Sequence, residues 1–364
     1  MNMGQEQDIF PRLPAPLLAW YDTHARVLPW RGNPAPYRVW ISEIMLQQTR
    51  VEAVKPYFER FLAELPDLEA LAAVPEDVLL KLWEGLGYYN RVRNLRKAAK
   101  AILERYGGVF PSSCEELMSL PGIGEYTAGA IASISFGLPC PAVDGNVLRV
   151  IARVTENRGD VMKDKVRGEI ASRLKAVYPA GRCGDFTQSL MELGATVCLP
   201  NGAPKCAECP LAELCLGFRN GTASGLPVKT KKKARREERR TVFLLRCGDR
   251  IALRRRSSEG VLAGLWEFPN VEGALPKREV VKQTEQWGLS VLHIQPSVRA
   301  KHVFTHLEWQ MSSWFIECAE PVPCFHWVTH DTLCREISLP SAWRAFTAVI
   351  FPDSPLEIEL PFDD

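Results

Sequence analysis

The sequence predicts a multidomain protein: an all-α region followed by a smaller α+β region. Three observations predict it. From about residue 12 to residue 218, apolar residues recur at three- and four-residue spacing with charges between them, the period of amphipathic helices. Beyond residue 240, β-branched and aromatic residues come in short runs bounded by turn residues. Between the two, "RNGTASGLPVKTKKKARREERR" begins with breakers and then holds eight basic against two acidic residues from Lys229 to Arg240. The expected division is therefore a helical region 1–218, a basic linker 219–240 and an α+β domain 241–364. A chain of 364 residues suits two domains at ~150 residues each.

In the first region, "VEAVKPYFERFLAEL" and "NRVRNLRKAAKAILERY" show the helical period most clearly. Pro- and Gly-rich joints such as "GGVFPSS" and "FGLPCPA" separate the helices. The linker's charge run reads first as a solvated tether, with contact to a phosphate backbone as the functional alternative. In the last region, "TVFLLRCGDRIALRRR" reads as a hairpin turning at Gly248-Asp249. "KREVVKQTEQWGL" is a helix, and "SVLHIQPSVRAKHVFTHLEWQMSSWFIECAE" continues in short strands.

Composition excludes several classes. Hydrophobic residues make up 46% and charged residues 24%, as in folded soluble proteins. A formal charge of +2 does not by itself announce a nucleic-acid partner. The N-terminus lacks the basic-then-apolar order of a secretory signal, and no apolar run is long enough to span a bilayer. The expected location is the cytoplasm.

Eleven cysteines, an odd number without a secretory signal, argue against a disulfide framework. Seven are scattered, at 114, 140, 183, 247, 318, 324 and 334, and read as buried free thiols. The other four, Cys198, Cys206, Cys209 and Cys215, follow the pattern C-x7-C-x2-C-x5-C. Thiolates this dense suit zinc or an iron–sulfur centre. With a single C-x-x-C pair in one compact loop, the spacing favours a [4Fe–4S] cluster over zinc.

Residues 120–132, "LPGIGEYTAGAIA", place two glycines between helices. Ser113 and Glu116 form a capping box for the first helix, and Gly122 and Gly124 form the turn. Such a turn lets the backbone approach a ligand closely, and the next helix offers unpaired N–H groups to an anion. A dinucleotide fingerprint fails because Thr127 stands where a third glycine is needed, and a P-loop lysine is absent. A plain structural turn remains open on these residues alone.

Two carboxylates stand out. Asp144 precedes the helix in "PAVDGNVLRVIARV", the place of an ordinary N-cap. Glu43 lies inside the apolar helix "PYRVWISEIMLQQTR", beside Val39, Trp40, Ile44, Leu46 and Gln47. Such surroundings raise a carboxyl pKa and would make Glu43 a general acid near neutral pH, unless its side chain reaches solvent.

Together, "LPWRGNPAPYRVWISEIMLQQTRV", "LWEGLGYYNRVRNLRKAA", the two-glycine hairpin, "VDGNVLRV" and the four cysteines resemble the endonuclease III superfamily of DNA glycosylases. Within it the chain resembles the adenine DNA glycosylase (MutY) family, over essentially its whole length. The resemblance implies an all-α helix-hairpin-helix glycosylase domain with an iron–sulfur cluster loop, the four cysteines holding [4Fe–4S]. It implies a monomer that removes adenine opposite 8-oxoguanine or guanine from double-stranded DNA, and that associates with the nucleoid when bound.

The resemblance also assigns roles. Glu43 matches the acid that protonates adenine N7, Asp144 the carboxylate that stabilises the resulting oxocarbenium ion, and Asn146 a residue that orders their hydrogen bonds. Tyr126 stands where bifunctional relatives carry a Schiff-base lysine, which implies a monofunctional enzyme. Arg26, Trp30, Arg31, Leu46 and Gln188 match the adenine pocket. Gln48 and Tyr88 match wedges into the duplex, and Thr49 and Leu86 match contacts to 8-oxoguanine. For Leu86 and Tyr88, core packing in a Gly-rich turn is the plainer reading.

"GVLAGLWEFP" resembles a Nudix-like C-terminal domain, but "NVEGALPKREVVKQTEQWGL" lacks the paired glutamates of a Nudix hydrolase. The resemblance instead implies 8-oxoguanine recognition by Phe304, Thr305 and His306, with threonine where the family has serine. The first cysteine spacer, "LPNGAPK", is one residue longer than the family's commonest spacing. Two other function classes compete: a bifunctional glycosylase/lyase, and a non-enzymatic iron–sulfur DNA-binding protein in which both carboxylates are only structural.

Overall fold

Residues 8–200, 203–230 and 234–351 are described by the computed structural model. The chain divides into two units, Met1–Ala73 with Asn94–Lys231, and Val74–Arg93 with Lys232–Asp364. The second unit thus takes twenty residues from within the helical stretch.

Helices α1 (Pro14–His24), α2 (Pro36–Leu46), α3 (Val51–Glu64) and α4 (Leu68–Ala73) open the first unit. α5 (Glu76–Leu82) lies in the second, and α6 (Asn90–Tyr106) leads back to the first. α7 (Cys114–Met118), α8 (Glu125–Phe136), α9 (Gly145–Val154), α10 (Asp164–Lys175), α11 (Cys183–Thr196) and the short α12 (Leu216–Arg219) follow. Pro14 and Pro36 begin α1 and α2, where a missing N–H costs nothing. Gly137, in the left-handed region, ends α8.

α2 is buried on every side from Val39 to Met45, because it packs against both α3 and α8. α11 packs on α1, α8 and α9. The core between α1, α9, α10 and α11 contains Leu17, Val150, Ile151, Leu174, Phe186 and Leu190, all essentially without exposure.

The expected helix-hairpin-helix is α7, a turn and α8. Ser113 Oγ accepts from the Glu116 amide at 3.2 Å, the N-cap half of the expected capping box, and donates to the Glu116 carboxylate at 2.8 Å. Gly122 sits at φ +78, and a Cβ there would come within 2.6 Å of the Asn94 Cβ. Only glycine meets both demands.

The second unit holds a mixed seven-stranded sheet in which β3 (Trp266–Glu267), β2 (Arg250–Arg255), β1 (Arg236–Cys247), β6 (Leu307–Cys318) and β5 (Val291–Val303) lie in that order. β4 (Asn270–Glu272) pairs with β1 and β7 (His326–Thr329) with β2. β1 and β6 run parallel, and β5 and β6 antiparallel. Helix α13 (Lys277–Gln286) covers one face, through Val280. α14 (His330–Arg335) and α15 (Arg344–Ile350) cover the other, through Leu333, Phe346 and Ile350. Along β1, Val242 and Leu244 enter one core while Phe243 and Leu245 enter the other. This explains the unbroken run "TVFLL": a strand buried on both faces shows no alternation.

Three expectations are corrected. Cys114 and Cys140 are joined as a disulfide rather than free, linking the start of α7 to the segment after α8. Of the other scattered cysteines only Cys183 and Cys318 are buried, while Cys324 is exposed. The basic linker does not extend to residue 240, because β1 begins at Arg236 and pairs there with Leu307. Lys231, Lys232 and Lys233 of the charge run lie outside the described residues. The short strands expected over 290–320 are two long ones, of 13 and 12 residues. Polar and exposed positions along β5 break its apolar pattern into what read as short pieces.

Candidate active site and cysteine centre

A cavity of about 180 Å3 opens among α2, α8, α11 and the start of α9. That is several times the ~30 Å3 of one liquid water, so the space takes a small molecule. Its walls include Glu43, Tyr126, Asp144 and Asn146. Arg26, Trp30, Arg31, Leu46 and Gln188 also line it, as does Thr49. The residues expected to act on adenine, and one expected to contact 8-oxoguanine, are thus brought together. Gln48 is exposed beside them at φ +60.

Glu43 is 5% exposed, held by the helix that is buried all round. Burial raises its carboxyl pKa, a hydrogen bond from Tyr126 lowers it, nearby Asp144 raises it and Arg31 lowers it, and the net is a value pushed up to about 7. The Tyr126 hydroxyl donates to Glu43 Oε2. Burial and the two carboxylates hold that phenol well above its usual range.

Asp144 is both an N-cap and a cavity residue. Its Oδ1 accepts from the Val147 amide at 2.7 Å, and its Oδ2 from Asn146 Nδ2 at 2.7 Å. Burial raises its pKa; those hydrogen bonds and the Arg149 guanidinium oppose the rise by favouring the ionised form. Arg149 Nη2 in turn donates to Asn146 Oδ1 at 2.8 Å and to the Gly194 carbonyl at 2.7 Å, fixing the asparagine amide.

Sequence reasoning missed Glu192, which is 1% exposed. Its Oε1 accepts from Arg26 Nε at 2.6 Å, and its Oε2 from Arg26 Nη2 at 3.0 Å and Arg31 Nη2 at 2.7 Å. Arg31 Nη1 also donates to the Arg26 carbonyl at 3.1 Å. The pair of arginines keeps Glu192 ionised despite burial, and the fork fixes both guanidinium groups at the cavity wall. A signal existed: Glu192 sits in "FTQSLMELGATVC", an acid in an apolar helix just as Glu43 is.

Cys198, Cys206, Cys209 and Cys215 line one cavity with Val150, Val197 and Arg153. Arg153 Nη1 lies 3.3 Å from Cys198 Sγ and 2.9 Å from the Leu199 carbonyl. Among the described residues, no three His, Cys, Asp or Glu side chains converge on a single ion. Four thiols round a shared cavity are a soft donor set of the kind that holds zinc or an iron–sulfur group, with a guanidinium at one of them. Asn201 and Gly202 of the long spacer lie outside the described residues.

In the second unit, Leu86 is 6% exposed and Tyr88 50%. The plainer core reading therefore holds for Leu86 alone. Tyr88 sits at φ +48, and its hydroxyl lies 3.4 Å from Thr305 Oγ1. Phe304, Thr305 and His306 form the tip joining β5 to β6, closed by the Phe304 amide on the Leu307 carbonyl at 2.7 Å. Phe304 packs edge-on against Trp309, while Thr305 and His306 are exposed.

The family model for HhH-GPD superfamily base excision DNA repair proteins matches residues 41–176, and that for the NUDIX domain matches residues 241–348. The adenine DNA glycosylase of Homo sapiens is 34% identical, over 86% of this chain and 70% of that protein. The adenine DNA glycosylase of Schizosaccharomyces pombe is 31% identical, over 87% of this chain and 85% of that protein. This chain belongs to the adenine DNA glycosylase family. The structure of a thermostable thymine-DNA glycosylase, 30% identical with a TM-score of 0.51, covers 56% of this chain and 94% of that one. The family's two-domain organisation accounts for the helical unit with its hairpin and for the mixed sheet. Among the described residues, no helix is long and apolar enough to cross a membrane.

Proposed function

We propose that the chain excises adenine mispaired with 8-oxoguanine or guanine in double-stranded DNA, as a monofunctional glycosylase of base excision repair. The observation that carries this reading is one cavity holding a buried carboxyl poised near pH 7, Glu43, beside a hydrogen-bonded carboxylate, Asp144. Glycosidic bond cleavage needs one protonated and one ionised carboxyl, and the hydrogen bonds from Val147 and Asn146 favour the ionised form of Asp144 against the burial that raises its pKa.

The adenine swings out of the stack into the cavity, as bases must before chemistry on them. Glu43 delivers its proton to adenine N7, so the base leaves as a neutral group. Positive charge then develops on the sugar, and Asp144 stabilises it electrostatically or by a transient covalent bond. Asn146 holds Asp144 in place, and Arg149 holds Asn146. Arg26 and Arg31, fixed by Glu192, orient the base. Tyr126 tunes Glu43, and its phenol cannot form the imine that an amine forms with the sugar, so the strand stays intact.

The amides at the start of α8, behind Gly122 and Gly124, receive a backbone phosphate. Gln48 and Tyr88 wedge into the duplex, Thr49 contacts the orphaned 8-oxoguanine, and Phe304, Thr305 and His306 read it. The four cysteines hold a [4Fe–4S] cluster, which supplies a structural brace for the loop between α11 and α12.

Glu43→Gln tests the reading. It is expected to lower single-turnover adenine excision by at least ~100-fold, the usual scale of general acid catalysis, while lesion-duplex affinity stays within about threefold. Undiminished excision would remove Glu43 from the chemistry, and lost binding would make it structural.

A further inference from the structure

Residues 74–93 fall inside the match to the glycosylase family, yet they pack with the C-terminal fold. Several of their contacts there are polar and reach specific backbone groups. Lys81 Nζ, 22% exposed in its side chain, donates to the Leu333 carbonyl at 3.3 Å, the Ile337 carbonyl at 2.9 Å and Glu84 Oε2 at 2.6 Å. Glu84 Oε1 accepts from the Leu339 amide at 2.7 Å. Arg93 Nη1 donates to the Ala263 carbonyl at 2.9 Å, and its Nε donates to Glu76 at 2.9 Å. Asp77 pairs with Arg255.

These bonds bracket the loop that carries Leu86 and Tyr88. Inside the loop, Arg91 Nη2 donates to the Leu86 carbonyl at 2.7 Å and the Gly87 carbonyl at 3.2 Å, and its guanidinium lies over the Trp83 and Tyr88 rings. Lys81 satisfies carbonyls at and just beyond the end of α14, where a helix leaves acceptors unpaired and a cation is favoured. A carboxylate and an ammonium, each mostly buried and each completed by backbone groups 252 to 256 residues away in sequence, form a latch rather than two surface ion pairs.

We propose that Lys81, Glu84 and Arg93 are positioning residues that latch the wedge-bearing loop 85–88 to the C-terminal fold, so that Tyr88 and the Phe304–His306 tip meet the duplex as one body. The 8-oxoguanine preference then depends on the latch as well as on the tip. This rests on the function proposed above.

The test uses the full-length protein and single-turnover excision of adenine opposite 8-oxoguanine and opposite guanine, in wild type, Lys81→Met with Glu84→Gln, and Lys81→Arg. The double variant is expected to lose about tenfold or more on the 8-oxoguanine duplex and less than about threefold on the guanine duplex. Lys81→Arg keeps most of the wild-type rate on both duplexes. Hydrogen exchange at the Leu339 amide and through 85–88 rises in the double variant. An equal fall on both duplexes, or an unchanged ratio with unchanged exchange, overturns the latch. Wild type that excises adenine from neither duplex overturns the proposed function instead.

Discussion

At Glu43, burial and Asp144 favour the neutral acid while Tyr126 and Arg31 favour the charged one, and the balance falls at about 7. The sign for stability follows. Below its ordinary value of 4.5 Glu43 is protonated both folded and unfolded. Between 4.5 and about 7 the folded chain holds the proton that the unfolded chain has lost, so stability falls as pH rises. The full loss is about 3 kcal/mol above that window. Glu43→Gln should remove this slope, giving a Tm higher than wild type at pH 8 and near it at pH 4. A pH profile of Tm identical to wild type contradicts the burial argument. In catalysis, Tyr126→Phe removes the bond that lowers the Glu43 pKa, so the alkaline limb of the single-turnover rate should move to higher pH. A limb that stays in place or moves down would break the link between the two residues. Glu43 was legible because an acid amid Val39, Trp40 and Ile44 is out of place. Its hydroxyl partner was not, since no local pattern joins two residues 83 apart. Glu192 stayed hidden for the same reason: its arginines lie more than 160 residues upstream.

The hairpin between α7 and α8 shows how much an element's sequence can give. Its Ser113 N-cap and its glycines were readable, because each rests on contacts within a few residues. Its disulfide was not, because pairing Cys114 with Cys140 depends on where α8 ends in space. The β1–β2 hairpin was readable and is present, turning between Cys247 and Arg250. The parallel pairing of β1 with β6, set by the sheet's order, is not written in "TVFLLRC". Gly122→Ala puts a side chain at φ +78 and against Asn94, at a cost of about 1–3 kcal/mol. We expect a lower Tm and DNA affinity weakened several-fold at low salt. If affinity is unchanged with an intact hairpin, the backbone there does not hold a phosphate.

For the whole molecule, composition and a break in periodicity gave two domains, and motif order gave the family. The allocation of 74–93 to the C-terminal fold was not legible, since the segment is helical and flanked by helices of the other unit. Lys81, Glu84 and Arg93 there find partners in backbone groups more than 160 residues downstream, which no local pattern announces. At this scale the proposed role of the β5–β6 tip is lesion choice. His306→Ala should reduce the ratio of excision rates opposite 8-oxoguanine and guanine by about tenfold, with the guanine rate little changed. An unchanged ratio removes His306 from lesion recognition.

The most direct test of the central claim is a strand-integrity assay on a duplex with adenine opposite 8-oxoguanine, read with and without alkali after incubation. The account predicts adenine release with strand breaks only in the alkali-treated sample. Breaks without alkali would contradict the assignment of Tyr126, and a duplex intact under both conditions would contradict the roles of Glu43 and Asp144.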